Sequence, residues 1–432
     1  MLHSIAPAPQ SANTQPSDPH KIDPHGNGTH GAGTHRAGTH RAGTLQAITL
    51  LLPVTLPTMG IVVLLSILPA MADRFSNVPG IAFWIPVLLT IPSLVVVLFA
   101  PVAGYLSDLY GRRRILIASM LVYALAGMAP FVLENLYAIL ACRVVVGLCE
   151  AIALTVTTTM IGDYFKGPER DKWLGYQTAV ASMSATVLIF IGGLLGGAFG
   201  WHGPFLIYGV SLILVCGVIF FTWEPRPDVL AGEHEGTNSW QGFPWKTMAE
   251  ICALTLFGSY LFYLVQVELS FALALHGTHR SQDSGTLQSI ASIGVPIGTI
   301  IFKYASRTPT ARLLCAEYTI LGLSLIGMGL APNAHLLVAA SFVNQLGAGM
   351  LLPTMLTWAM RSLPFEHRGR GTGVWTGTFS VGQFLLSVSF PAVSALTGGL
   401  LATFIAVGTS ALIAALLALW MNVRRIPSPA AG

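Results

Sequence analysis

From residue 45 onward the chain alternates between apolar stretches and short polar breaks. Each stretch reaches the roughly 20 residues that an α-helix needs to cross a bilayer. Twelve are predicted, at 46–70, 80–106, 114–132, 135–161, 173–198, 203–223, 247–275, 286–304, 312–331, 334–360, 371–396 and 399–422. Turn and helix-ending residues stand between them, among them Asn77 and Pro79, Pro130, Gly200 and Trp201, and Pro332 and Asn333. Residues 1–44 carry no such run and are rich in Gly, Thr, Ala, Pro and His, with the repeat GTHGAGTHRAGTHRAGT. This segment lacks the apolar core of a secretory signal and is predicted to be a disordered tail. Its evenly spaced imidazoles could wrap a nickel, zinc or copper ion, but the pattern is read first as low complexity, with no metal site assigned.

Composition agrees with the pattern. Of 432 residues, 53% are hydrophobic and only 9% charged, and the mean hydropathy is +0.68, which excludes an ordinary water-soluble protein. The five cysteines fall inside apolar runs without a paired spacing, so neither a disulfide framework nor a zinc site is expected.

Charge placement sets an expected orientation. With the N-terminus inside, sixteen basic residues beyond the tail fall on cytoplasmic segments: Arg112, Arg113, Arg114, Lys166, Arg170, Lys172, Arg226, Lys246, Lys303, Arg307, Arg312, Arg361, Arg368, Arg370, Arg424 and Arg425. Only Arg74 and Arg280 fall outside. Both termini are therefore expected in the cytoplasm, and the formal net charge of +4 reflects topology rather than a nucleic-acid partner.

The longest internal break, 224–245, reads as a cytoplasmic linker between six-helix halves at 45–223 and 246–423, followed by a tail at 424–432. The halves echo one another. Pro168 and Gly175 enclose Arg170 and Lys172, and Pro364 and Gly371 enclose Arg368 and Arg370, each loop leading from the fourth helix of its half to the fifth. The predicted fold is all-α and polytopic, two pseudo-symmetric bundles of six helices.

Four of the charges gather in GYLSDLYGRRR, residues 104–114, between the second and third helices. Gly104 permits close helix approach, Asp108 and Arg112 stand at i and i+4, and Gly111 permits a tight turn before Arg113. At Gly104, Leu106, Asp108, Gly111, Arg112 and Arg113 this loop resembles the signature of the major facilitator superfamily. The resemblance implies that Asp108 pairs with Arg112 and faces the start of the eleventh helix, latching the cytoplasmic side shut in the outward-facing state. The matching loop of the second half, Gly298 to Arg312, has no acid where Asp108 would fall.

In the fourth helix RVVVGLCEA places Arg143, Gly147 and Glu150 on one face. An intramembrane charge is expensive and marks function by default. Arg143 and Glu150 stand about two turns apart, ~10 Å, a span that long side chains or a water could bridge. The alternative is an arginine held by helix-end carbonyls or a neighbouring helix. The family pattern matches at Arg143, Gly147 and Ala151 and implies proton coupling. Val146 and Glu150 depart from it, and a glutamate there resembles branches that move organic anions or lipids.

The fifth helix carries IGGLLGGAFGWHGPF, similar to the family's antiporter signature at Gly192, Gly196, Gly197, Gly200 and Trp201, with Gly193 where proline is usual. Gly147, Gly192, Gly196 and Gly197 are expected to let helices pack closely. Candidates for a central cavity are Tyr263, Gln266 and Glu268 of the seventh helix, Asn344 and Gln345 of the tenth, and Trp375, Phe379 and Gln383 of the eleventh. Glu268 lies far enough along its helix to be simply solvated, and aromatic stripes are commonly packing.

No phosphate loop, HExxH or nucleophile elbow is present, so the chain is not expected to be an enzyme and no cofactor is assigned. The expected function is proton-coupled efflux of a small organic molecule across the inner (cytoplasmic) membrane by a monomer in the lipid bilayer. The alternatives are proton-coupled uptake of an organic anion and, from another class, a non-transporting receptor or metal sensor.

Overall fold

The structure, a computed structural model, describes residues 42–224, 242–363 and 367–424. The histidine repeat, most of the linker with Arg226, and Pro364 and Arg425 lie outside them.

Eleven helical runs among the described residues are long and apolar enough to cross a membrane, and one of them, Pro168–Phe221, has 54 residues. That run folds back at Gly200, whose φ of +68° suits glycine alone, and counts as two passes. The spans are α1 (Thr44–Arg74), α2 (Ile81–Tyr110), α3 (Arg112–Met128), α4 (Leu136–Tyr164), α5 (Pro168–Phe199), α6 (Val210–Phe221), α7 (Trp245–Leu275), α8 (Ser281–Ala305), α9 (Thr310–Gly329), α10 (Ala334–Ser362), α11 (Arg368–Thr397) and α12 (Leu400–Arg424). The predicted sixth helix begins late because Gly200–Gly209 forms tight 3-10 turns around Pro204, which has no N–H to donate. Several other helices run past their predicted ends, since charged residues at a membrane surface need not leave the helix.

The ends have identifiable causes. Asn135 accepts from the backbone N–H groups of Tyr137 and Ala138 at 2.9 and 3.3 Å to start α4, and Asn333 accepts from Leu336 N at 3.0 Å to start α10. The two caps hold equivalent places in the two halves. α1 is interrupted by a turn at Val63–Leu64 and a 3-10 segment at Leu65–Ile67.

Within the first half α2 packs on α4 and α3 on α4 and α6; within the second, α9 packs on α12 and α10, α8 on α10, and α7 on α11. The halves meet along α5 with α8 and along α2 with α11. Large apolar side chains such as Leu125, Phe220, Tyr304 and Leu416 are mostly exposed on the outer surface, as a lipid-facing belt requires.

Candidate functional site

A cavity of about 290 Å³ lies between the halves. It is walled by α1, α2, α4 and α5 from one side and α7, α8, α10 and α11 from the other, with polar groups from Thr58, Ser93, Glu150, Tyr263, Gln266 and Gln383. Glu150 is the charged member of that lining.

Gly60 of α1 explains how Glu150 is seated. A methyl group on Gly60 would stand 1.9 Å from Glu150 Oε1, so the carboxyl rests directly on the glycine. Glu150 is 1% exposed, and its Oε1 has no hydrogen-bond partner. Arg143, two turns away and equally buried, donates through Nε to Leu88 O at 3.1 Å and through Nη1 to Tyr208 Oη at 2.5 Å. Its Nη2 donates to Gly60 O. Every guanidinium nitrogen is thus engaged, by α1, α2 and Tyr208 before α6, rather than by Glu150. The sequence reading that an arginine could be held by neighbouring carbonyls describes this geometry. Gly60 takes both groups, the carboxyl against its Cα and the guanidinium at its carbonyl.

The glycines of α4 and α5 lie at helix crossings. A Cβ on Gly147 would meet Pro92 Cα at 2.8 Å; on Gly192, Val63 O at 2.3 Å; on Gly196, Ile67 Cγ2 at 2.7 Å; and on Gly197, Gln282 Cβ at 3.0 Å. Gly193, at the position of the absent proline, meets Gly285 Cα at 2.7 Å, backbone against backbone. Gly104 is different: its nearest neighbour would be Thr155 Cγ2 at 3.9 Å, so no close approach requires a glycine there.

The charged loop after α2 forms a tighter knot than the sequence implied. Gly111 turns the chain at φ +91°. Asp108 reaches Arg112 at 3.4 Å, but its side chain is 60% exposed, and the close partner of Arg112 is Asp163 at the end of α4. Glu224 accepts from the backbone N–H of Arg112 at 2.5 Å and of Arg113 at 3.1 Å, capping α3, while Arg113 Nη2 donates to Ile219 O at 2.6 Å. Tyr164 stacks on Trp223 with ring centroids 4.7 Å apart, so α3, α4 and the end of α6 are tied together. Sequence reasoning missed Asp163 and Glu224. Both stand where an apolar run gives way to charge on the Arg112 side, and that shared end was the available signal.

Of the predicted cavity residues, Tyr263, Gln266 and Gln383 line the central space. Glu268 does not: it faces a separate cavity with Pro86 and Phe390. Asn344 donates to Leu321 O at 3.3 Å and Ser324 Oγ at 2.9 Å, joining α10 to α9. Gln345 borders a void of about 10 Å³ beside Gln266 and Gln288. Trp375 stacks on Phe379 at 5.7 Å and Phe379 packs on Tyr263 at 5.6 Å, so this stripe braces α11 against α7. The cavity face of α11 is Thr376, Ser380 and Gln383. Glu317 is fully buried and accepts from Thr354 Oγ1 at 2.6 Å, away from the central space.

Comparison with known proteins agrees with this architecture. The family described as Major Facilitator Superfamily matches at residues 54–332 and 251–431. The chain is 28% identical over 342 residues to the class C tetracycline resistance protein of Escherichia coli, covering 76% of this chain and 84% of that one. It is 35% identical over 154 residues to the bacillibactin exporter of Bacillus subtilis (strain 168), 34% of this chain and 38% of that one. Among solved structures, a bacterial homologue of the human lysosomal transporter Spinster superposes with a TM-score of 0.74 at 15% identity, covering 89% of this chain and 98% of that one. By its matched length and its helical fold, the chain belongs to the Major Facilitator Superfamily: a multi-pass membrane transporter and not an enzyme.

Proposed function

We propose that this transporter exports a cationic or neutral hydrogen-bonding organic molecule in exchange for protons, with Glu150 as the group that both compete for. The observation that carries this reading is the lining of the central cavity, where Glu150 supplies the charge and the buried guanidinium of Arg143 is engaged elsewhere. A bare carboxylate sealed in an apolar bundle is unfavourable by several kcal/mol. The cavity therefore closes more readily when Glu150 holds a proton, or a substrate that neutralises it or donates hydrogen bonds to it, than when it holds neither. That condition links the two fluxes. Gln266, Tyr263 and Gln383 supply neutral polar groups opposite the acid.

Uptake of an organic anion loses one of its supports, an intramembrane arginine open to the anion, because Arg143 does not line the cavity; the missing proline at Gly193 remains compatible with it. The outward direction is supported by the likeness to a tetracycline resistance protein and, over a shorter stretch, to an exporter. The excess of basic residues on the Arg112 side supports a cytoplasmic location for both termini; the bacterial relatives suit the inner membrane, and we take a monomer as the working unit. In that orientation the α5–α8 seam closes the outer end, and the mostly exposed Asp108 belongs to a latch in its released state, with Gly111, Arg112 and Arg113 as its frame.

The test is flux in proteoliposomes under an imposed pH gradient, with cationic, neutral and anionic candidates compared. Glu150→Gln is expected to retain downhill exchange and lose pH-driven accumulation. Accumulation that survives this change would sink the assignment, as would selective transport of the anions.

A further inference from the structure

A second cavity, of about 320 Å³, lies nearer the Trp201 end of the molecule, among α1, α2, α7 and α11. It shares no lining residue with the central one. Its walls are almost wholly apolar, with Ile85 and Pro86 from α2 and Phe271 and Phe390 from the opposite half. Into this lining Glu268 projects from α7, 4% exposed, and among the described residues no donor reaches its carboxylate. Arg74, close in sequence to the lining residue Ala72, is committed to Glu134 at 2.6 Å. Unlike Glu317, which has Thr354, Glu268 is left with a chamber in place of a partner.

The two cavities are stacked along the same helices. On α2, Ser93 lines the central cavity and Pro86 the second; on α11, Gln383 lines the central cavity and Phe390 the second. Between these positions, on both helices, stand Thr90 and Ser387, joined by a buried hydrogen bond of 2.9 Å. That contact stands in the partition, where α2 meets α11.

We propose that the Glu268 chamber is a second ligand site, for an organic cation with an apolar body, lying in series with the central cavity behind the Thr90–Ser387 partition. The carboxylate is the counter-charge, Phe271 and Phe390 present ring surface that suits a cation, and the rest of the wall takes the apolar part of the ligand. A hydroxyl pair is easily exchanged for water, so on the α2 and α11 side the partition can loosen without loss of an apolar contact. The site stands on its own geometry and does not depend on the direction of transport or on Glu150 as the exchanging group.

Tetraphenylphosphonium is a suitable probe. Ser394 lines the chamber, so Ser394→Cys in the full chain, reconstituted in liposomes, gives a thiol whose reaction with N-ethylmaleimide can be timed, the unsubstituted chain giving the background of its native cysteines. Tetraphenylphosphonium should slow that reaction about tenfold or more, equivalent to ~1.4 kcal/mol of protection. Adding Glu268→Gln should abolish the protection, whereas adding Glu150→Gln should leave it. Protection that persists in Glu268→Gln, or is matched by the isosteric anion tetraphenylborate, would show an apolar slot with no use for the carboxylate and overturn the proposal. Should Ser394→Cys not fold, radiolabelled tetraphenylphosphonium binding to the otherwise unmodified chain replaces it: Glu268→Gln should remove one class of binding site, and unchanged binding would refute the site. Failure of Glu150→Gln to alter transport would bear on the proton-exchange reading alone.

Discussion

Tyr123 in α3 and Tyr318 in α9 make the same bond in opposite halves: Tyr123 Oη donates to Leu56 O of α1 and Tyr318 Oη to Leu254 O of α7, each at 2.8 Å. Four residues beyond each tyrosine is a glycine at a crossing, Gly127 against Tyr208 and Gly322 against Gly408. Removing one phenolic hydroxyl from a buried pair loses about 1 kcal/mol. Tyr123→Phe and Tyr318→Phe should therefore lower stability by similar amounts, and the distant pair should be nearly additive. Thermal unfolding of the purified variants checks this; a loss confined to one variant would deny the equivalence.

Gly60→Ala places a methyl group where Glu150 Oε1 sits. The carboxyl must turn away or α1 must shift, which also pulls Gly60 O from Arg143. Transport should fall by more than about tenfold, roughly 1.4 kcal/mol or more of lost function. Combining the change with Glu150→Ala should restore the stability lost to the clash without restoring proton-driven accumulation. Unfolding and flux measured side by side separate the two effects.

Asp108 and Asp163 should respond differently to loss of charge. Asp163→Asn leaves the largely buried Arg112 without its close carboxylate and should destabilise the protein by about 2 kcal/mol. Asp108→Asn removes a mostly exposed partner and should change stability by less than ~1 kcal/mol. Its effect should appear in turnover, through slower return of the latch. Equal stability losses, or unchanged turnover in Asp108→Asn, would contradict this division.

At the α5–α8 seam, Gly193→Leu inserts a branched side chain where Gly285 Cα lies within 2.7 Å of the site of a Cβ. The halves cannot then close at this end. Insertion should be near normal, while transport is lost and thiol probes placed beside Gln282 react at all times. Full transport by this variant would mean that the seam need not close.

The fold was legible in the sequence because each apolar run is long and each break carries a breaker, and the family loop after α2 is specific. Gln266 could be chosen for the cavity as a polar side chain in an apolar span, and Gln383 by its four-residue register on α11. Glu268 was misplaced for a reason of phase: two residues from Gln266 is about 200° around α7, which turns it away from the central cavity and into the second one. Trp375 and Phe379 were misread by one position around α11, where the neighbouring Thr376 and Ser380 reach the cavity. Gly60 gave no sign at all, since its role arises only when α4 is laid against α1. The direct partners of Arg143 were hidden for the same reason: a two-turn spacing measures distance along one helix, whereas they lie on others.

The meeting of Gly193 with Gly285 sets the character of the motion that parts them. Separating two bare backbones uncovers almost no hydrocarbon, so at about 25 cal/mol per Å² the solvent penalty is slight. What holds them is dispersion between atoms in contact, and a gap of roughly 1 Å forfeits up to half of that attraction. Such a junction behaves like a magnetic catch: firm when shut and indifferent once ajar.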